Sequence, residues 1–271
     1  MNSDWLFLSK HGQDKYINWL AHSAGVDPYN SDYFDYYYDV FKDNKKLVLR
    51  GILKHKIMQQ CWQDKRDFWY MDSGYLGNLT SSINPRGNKN WHRIVHNNLQ
   101  HDQVVIRAED RFNRLHIRPH KRRYGRRIIV AAPDDKPCKF YGIDREQWIT
   151  DTVNTIKQHT DRPVVIRDRA SKRQDRVHVN PLKQELENDT HALVTFNSNS
   201  AVEAVIEGVP VFVLAPAHAA APVGNRDLKL IETPFWPSVG HIHAWLCHLA
   251  YCQYTAKELQ NGTAFGMMND I

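Results

Sequence analysis

FNSNSAVEAVIEGVPVFVL, residues 196–214, is the stretch whose reading decides the fold. Asn197 to Ser200 are small and polar and form a turn. Ala201 to Ile206 suit a short helix, Gly208 and Pro210 break it, and Val211 to Leu214 is an apolar strand. His191 to Phe196, just before, reads as another buried strand. The unit is strand, turn, helix, strand, the building block of an α/β sheet. Free amides and the helix dipole suit such a turn to an anion, a phosphate above all. Glu203 lies about one turn into the helix and can project toward the same ligand. A carboxylate does not bind phosphate, but it accepts hydrogen bonds from sugar hydroxyls. The pattern therefore suggests a nucleotide, with diphosphate on Ser198, Asn199 and Ser200 and ribose on Glu203. The same residues also make a good helix cap, and taken alone they leave both readings open.

Working outward, the pattern repeats. Residues 127–133 read as a strand followed by a polar loop. Residues 144–159 read as a helix started near Asp144, and 163–167 as the next strand. A short helix within 178–188 completes an alternating Rossmann-like half over 127–214. The N-terminal half holds a second such unit: a strand at 46–51, a helix over 52–63 and a strand at 68–74. Before it, residues 5–8 suit a strand and 14–24 a helix. The aromatic, acidic segment 30–43 reads as a helix or packed loop. Residues 84–90 read as a loop, 91–97 as a strand and 241–259 as helical. The expected domains are 1–110, a basic linker 111–126, a donor domain 127–245, and a C-terminal helix 246–271 that packs back on the N-terminal half.

Apolar residues make up 42% and charged residues 24%, which fits a globular protein rather than a disordered one. No secretory pattern opens the chain and no apolar run is long enough for a membrane span, so a cytoplasmic protein is expected. Cys61, Cys138, Cys247 and Cys252 lack metal or redox spacing; Cys247 and Cys252 are expected on one helical face. The net charge of +6 is smaller than the eight positive charges of one block, RFNRLHIRPHKRRYGRR, at 111–127. That block contains Arg111, Arg114, Arg118, Lys121, Arg122, Arg123, Arg126 and Arg127, and no acid. It suits a polyanion such as a nucleic-acid backbone; a solvated linker is the plainer alternative.

The turn at 197–200 with Glu203 and the Gly-Val-Pro step resembles the donor-site helix of GT-B-fold glycosyltransferases. The resemblance implies that Ser198 and Ser200 hold the donor diphosphate and Glu203 the ribose. Sugar-nucleotide epimerases share this motif. Residues 71–75, 127–133, 140–144, Trp148, 160–167 and 249–255 further resemble phage-encoded, DNA-modifying-like glycosyltransferases, a likeness spanning residues 46–266. It implies an α/β fold with two Rossmann-like halves facing a cleft, in a compact GT-B-like arrangement.

A transferase of this kind needs a diphosphate clamp, and Arg167 and Lys172 are the expected cations beside Ser198, Asn199 and Ser200. Such a clamp would act without a metal. Asp72, at a strand end next to Gly74, is the expected base for the acceptor hydroxyl, or else a turn-forming Asp. His92 and His96 are alternative bases; as a metal pair they lack a third ligand. Residues 223–237 are expected to close over the site, with His218, Asn225, Arg226 and Asp227 near the sugar and Trp236 either in the core or as a lid. The function expected is sugar transfer from a nucleotide sugar, a UDP-sugar first, to a hydroxymethylpyrimidine in duplex DNA. Arg111, Arg114, Arg118, Lys121, Arg122, Arg123 and Arg126 would hold the phosphates of DNA whose target base is flipped out. The alternatives are a polysaccharide or lipid acceptor, a non-catalytic nucleic-acid-binding protein, and an epimerase.

Overall fold

A computed structural model describes residues 4–30, 43–51, 55–77, 90–168 and 182–269. The chain divides into two units: 1–78 with 89–99 and 252–271, and 79–88 with 100–251. The boundary falls at 99/100 rather than at 110, and the chain returns to the first unit for its last twenty residues.

In chain order the elements are β1 (Trp5–Ser9), α1 (Lys15–Ser23), β2 (Tyr29–Asn30), β3 (Lys46–Arg50), α2 (His55–Gln63), β4 (Phe68–Ser73) and β5 (Trp91–His96). They continue with α3 (Asp110–Asn113), β6 (Arg127–Ala131), α4 (Asp135–Tyr141), α5 (Arg145–Lys157), β7 (Val164–Arg167), α6 (Leu182–Glu187) and β8 (Thr190–Thr195). The last are α7 (Ser200–Ile206), β9 (Val211–Val213), α8 (Val239–Tyr251), β10 (Gln253–Thr255), α9 (Ala256–Gln260) and α10 (Thr263–Asn269).

The first unit carries the sheet β10-β5-β4-β3-β1-β2. Its strands β2, β1, β3 and β4 are parallel, while β5 pairs antiparallel with β4 and β10 antiparallel with β5 at the edge. α1 starts where the Asp14 carboxylate accepts the Tyr16 and Ile17 amides at 3.2 and 3.4 Å. It buries Ile17, Leu20 and Ala21, three positions of one helical face, in a core with Phe7, Val48, Trp69 and Met71.

The second unit is a four-stranded sheet ordered β7-β6-β8-β9, all parallel. Every residue of β8 and β9 is buried, as a strand covered on both faces requires. Both units share one logic: the second parallel strand flanks the first on one side and the third flanks it on the other. Two Rossmann-like halves are thus present, each with a switch point between its first and third strands.

Three sequence expectations need correction. Residues 135–141 are the helix α4, not a polar loop; Gly142, at φ 67°, ends it in the left-handed conformation. Residues 241–259 are not one helix: α8 stops at Tyr251, and β10 then pairs with β5 before α9 begins. Cys247 and Cys252 therefore do not share a helical face. All four cysteines are buried thiols outside any disulfide, and burial pushes the Cys61 and Cys138 thiols up to about 11, which leaves them inert. Most of the segment 30–43 and nearly all of the loop 84–90 lie outside the described residues.

The basic block is not a free linker; it lies against the end of α7 within the second unit. The His120 amide donates to Ile206 O and the Arg123 amide to Gly208 O, each at 2.7 Å, and Arg123 Nε donates to Glu207 O at 2.7 Å. Carbonyls at and just beyond the end of a helix need donors, and a cation there also meets the negative end of its dipole. Gly208 has φ +84°, and a Cβ on it would lie 2.2 Å from Lys121 O. Gly208→Ala is therefore expected to destabilise the protein by about 2–3 kcal/mol in urea denaturation; an unchanged midpoint would contradict this docking.

Candidate functional site

In open parallel sheets, ligands gather at the carboxyl ends of the strands, beside the switch point. In the second unit that place lies between the ends of β6 and β8, where residues 132–134 and 196–199 leave the sheet. The turn after β8 is held from two directions. Gln100, 2% exposed, donates from Nε2 to Asn197 O at 2.5 Å and accepts the Ala219 amide at 2.9 Å. His218, fully buried, accepts the Ala220 amide on Nδ1 at 3.0 Å, so its Nε2 carries the proton and donates to Ser198 O at 3.1 Å. Trp245 Nε1 donates to Ala219 O at 2.7 Å and fixes the same strap from behind.

On α7, Ala201, Val202, Ala204, Val205 and Ile206 are buried, while Ser200 and Glu203 are half-buried. The two are three positions apart and so share one face. Asn199 precedes the helix without a side-chain capping bond. The Ser198 hydroxyl accepts the Ser200 amide at 3.2 Å, and Ser198 O accepts the Ala201 amide at 3.2 Å. These amides are thus already engaged, and what remains for a ligand is largely side-chain chemistry. Ser200 Oγ is buried and meets no hydrogen-bonding partner among the described residues.

One of the two expected phosphate cations is otherwise engaged. Arg167 pairs with Glu185, and Lys172 lies outside the described residues. Sequence reading missed Arg145, the first residue of α5. Its Nε donates to Pro133 O at 2.9 Å, and its guanidinium pairs with Asp168, just past the end of β7, and with Glu146, its neighbour on α5.

The loop 223–237 proves to be a packed structure. Asn225, 5% exposed, gives its amide group to Val211 O at 3.1 Å and Phe235 O at 3.3 Å and accepts the Phe235 amide at 2.8 Å. Arg226 donates to Ala215 O and Pro216 O at 2.7 and 3.0 Å, and Asp227 caps the Lys229 amide at 3.0 Å. With His218 also bonded to backbone, all four side chains make hydrogen bonds to main-chain groups, and Arg226 and Asp227 remain exposed. Trp236 is half-buried.

Some charges of the basic block meet acids, and others stay exposed. Arg111 is buried and donates to Ala250 O at 3.0 Å. Arg114 lies 3.6 Å from Asp110, Arg123 lies 3.8 and 3.9 Å from Glu187 and Glu207, and Arg126 lies 2.7 Å from Asp189. Arg118 and Lys121 are exposed, and Arg122 is half-buried over the Tyr124 ring.

In the first unit, Asp72 faces Arg93 across the β4–β5 register. Its carboxylate accepts the Tyr70 hydroxyl at 2.5 Å and the Ser73 amide at 2.7 Å, with Arg93 at 3.6 Å. Desolvation pushes the carboxyl up, but Arg93, the Tyr70 hydroxyl and the Ser73 amide together outweigh it and hold it below the usual carboxylate range. A general base works best with a pKa near the working pH, so Asp72 reads as the counter-charge of buried Arg93. Asp72→Asn is expected to cost about 1–2 kcal/mol at pH 7, less than for a fully buried pair because the carboxylate is 36% exposed. The contribution is full above the ordinary carboxylate pKa and is lost as pH falls through the lower folded value, so variant and wild type converge in acid. Urea midpoints at pH 7 and pH 3 check this; equal midpoints at both would remove the anchoring role.

His92 is buried, with its ring 3.9 Å from that of Tyr16, and His96 Nε2 lies 2.9 Å from Asp67. Among the described residues, no three His, Cys, Asp or Glu side chains come together as metal ligands. No helix among them is long and apolar enough to cross a membrane.

His248 of α8 accepts the Val105 amide on Nδ1 at 3.3 Å; burial, then the charge of Arg107, push its pKa down to about 4. The unfolded chain binds this proton from pH 6.5 downward and the folded one does not. Stability is therefore expected to fall by up to about 3 kcal/mol between pH 6.5 and 4. A pH series of urea midpoints flat over that window would contradict the assignment.

No family model matches the chain, and no curated protein does. Among solved structures, the chain is similar to a beta Kdo 2,7 transferase, KpsC of Thermosulfurimonas dismutans, with 13% identity and a TM-score of 0.50 over 97% of this chain and 99% of that one. It also matches the beta Kdo 2,4 transferase of KpsC from the same organism, with 11% identity and a TM-score of 0.43 over 74% of this chain and 78% of that one. The 2,7 transferase, matched over nearly its full length, shares the fold of two Rossmann-like α/β halves.

Proposed function

We propose that this protein transfers a sugar from a nucleotide-sugar donor to a hydroxyl acceptor, with the donor held at the switch point of the second unit. The observation that carries this reading is the pre-set turn Ser198–Ser200, with Glu203 on the same face of α7 as Ser200 and the start of the turn pinned by Gln100 at Asn197 O and by His218 at Ser198 O. A fixed turn of this kind suits a diphosphate because its groups need no reorganisation on binding. Glu203 accepts the ribose hydroxyls, and the Ser200 hydroxyl takes a phosphate oxygen. A donor of this class is a nucleoside diphosphate sugar, a UDP-sugar first. The fold shared with a sugar transferase adds support at the level of architecture.

The acceptor favoured is a carbohydrate hydroxyl, since much of the basic block is spent inside the second unit. A second reading, a hydroxymethylated base in duplex DNA, draws on exposed Arg118 and Lys121. The test incubates the protein with a panel of nucleotide sugars and either an oligosaccharide mixture or hydroxymethylated DNA, and reads products by mass. A hexose- or pentose-sized gain on oligosaccharide supports the first reading, and a gain on DNA nucleosides the second. Absence of both transfer and donor hydrolysis across the panel would overturn the proposal.

A further inference from the structure

The first unit has a switch point of its own, between the carboxyl ends of β1 and β3. A surface pocket of about 410 Å³ opens there, lined in part by Lys10, His11, Asp14, Lys15, Tyr16 and Arg50. That volume is within the range of small-molecule sites and takes a ligand of one or two sugar rings. Three permanent cations face one acid among its described lining residues. Asp14 is already committed: it caps α1 through two amides and pairs with Arg50 Nη1 at 3.1 Å. Arg50 lies over the Tyr16 ring at 4.7 Å, and its Nε is buried with no hydrogen-bonding partner among the described residues. Lys10 and Lys15 are exposed at the mouth. His11 holds φ 53°, a conformation that non-glycine residues seldom adopt and that recurs at functional sites.

We propose that this pocket binds an oxyanion carried by a small sugar-sized ligand, a phosphate ester or a carboxylate, with Lys10, Lys15 and Arg50 as its cationic grip. Ammonium groups supply point charge, and the ring-stacked guanidinium supplies directed donors that suit either oxyanion. The site lies on a different sheet from the donor turn and uses none of its residues, so it stands apart from the sugar-transfer reading.

Calorimetric titration of the full chain with glucose 1-phosphate and with glucuronate tests it, in parallel with the Lys10→Ala/Lys15→Ala double variant. Both lysines are exposed, so the fold is expected to survive, and an unchanged thermal midpoint verifies that. Saturable binding of either probe, weakened tenfold or more in the double variant, supports the site. Saturation by the phosphate alone assigns a phosphate ligand, and saturation by glucuronate alone a carboxylate. No saturation by either probe, or equal affinity in the double variant, overturns the proposal.

Discussion

Glu203→Ala is expected to lower sugar transfer by about a hundredfold in the protein that stays folded. Glu203 is the one acidic side chain on α7, and it stands half-exposed on a helix otherwise packed into the sheet. A hydrogen bond to a charged group contributes about 1.5–3 kcal/mol, and a carboxylate that meets two ribose hydroxyls makes two of them. The loss should appear mainly as weaker donor binding, with KM rising more than kcat falls, because the ribose is remote from the bond that breaks. Glu203→Gln keeps one acceptor oxygen and should recover part of the loss. A variant that transfers sugar at the wild-type rate would remove the ribose role, and one that unfolds would return Glu203 to a helix-building residue.

Gln100→Leu is expected to cost about 4 kcal/mol of stability. The substitution keeps the volume but strands Asn197 O and the Ala219 amide, both of which Gln100 satisfies. Each buried group left without a partner costs about 1–3 kcal/mol. Because Asn197 opens the turn proposed to hold the donor, the same change should weaken donor binding in whatever fraction stays folded. Gln100→Glu separates the two effects: it keeps the acceptor for Ala219 but loses the donor to Asn197. A Gln100→Leu midpoint within about 0.5 kcal/mol of wild type would show that the two loops hold their positions without this bridge.

Much of the architecture is legible in the residues. The parallel strands announce themselves as short apolar runs, such as Ile128–Val130 and Val211–Val213, closed by polar turns or a Gly-Pro step. Asp14 and Asp144 mark helix starts that the structure confirms by their amide contacts. What escaped reading was short or distant. β10 is only three residues long and lies between two helices, although Thr255 and Glu258 spell a capping box that announces a new helix. α4 had its own signals in Asp134 and Gly142.

The site was half legible. Its turn can be read because small polar residues between a strand and a helix are distinctive. Gln100 carries no local signal; its importance comes from two loops about a hundred residues away along the chain. The basic block misled for the same reason. A sequence shows its cations side by side, but Glu187, Asp189 and Glu207, which answer several of them, come from the other end of the unit. Asp72 likewise looks like an exposed strand-end base until the β4–β5 register sets Arg93 opposite it.

Amide hydrogen exchange of the whole protein, with and without saturating uridine diphosphate, tests the central claim most directly. The account predicts slowed exchange at 196–203, with weaker slowing at 132–134 and no such change in Glu203→Ala. Unchanged exchange at 196–203 under saturation, or protection confined to the first unit, would contradict a donor site at the β6–β8 switch point.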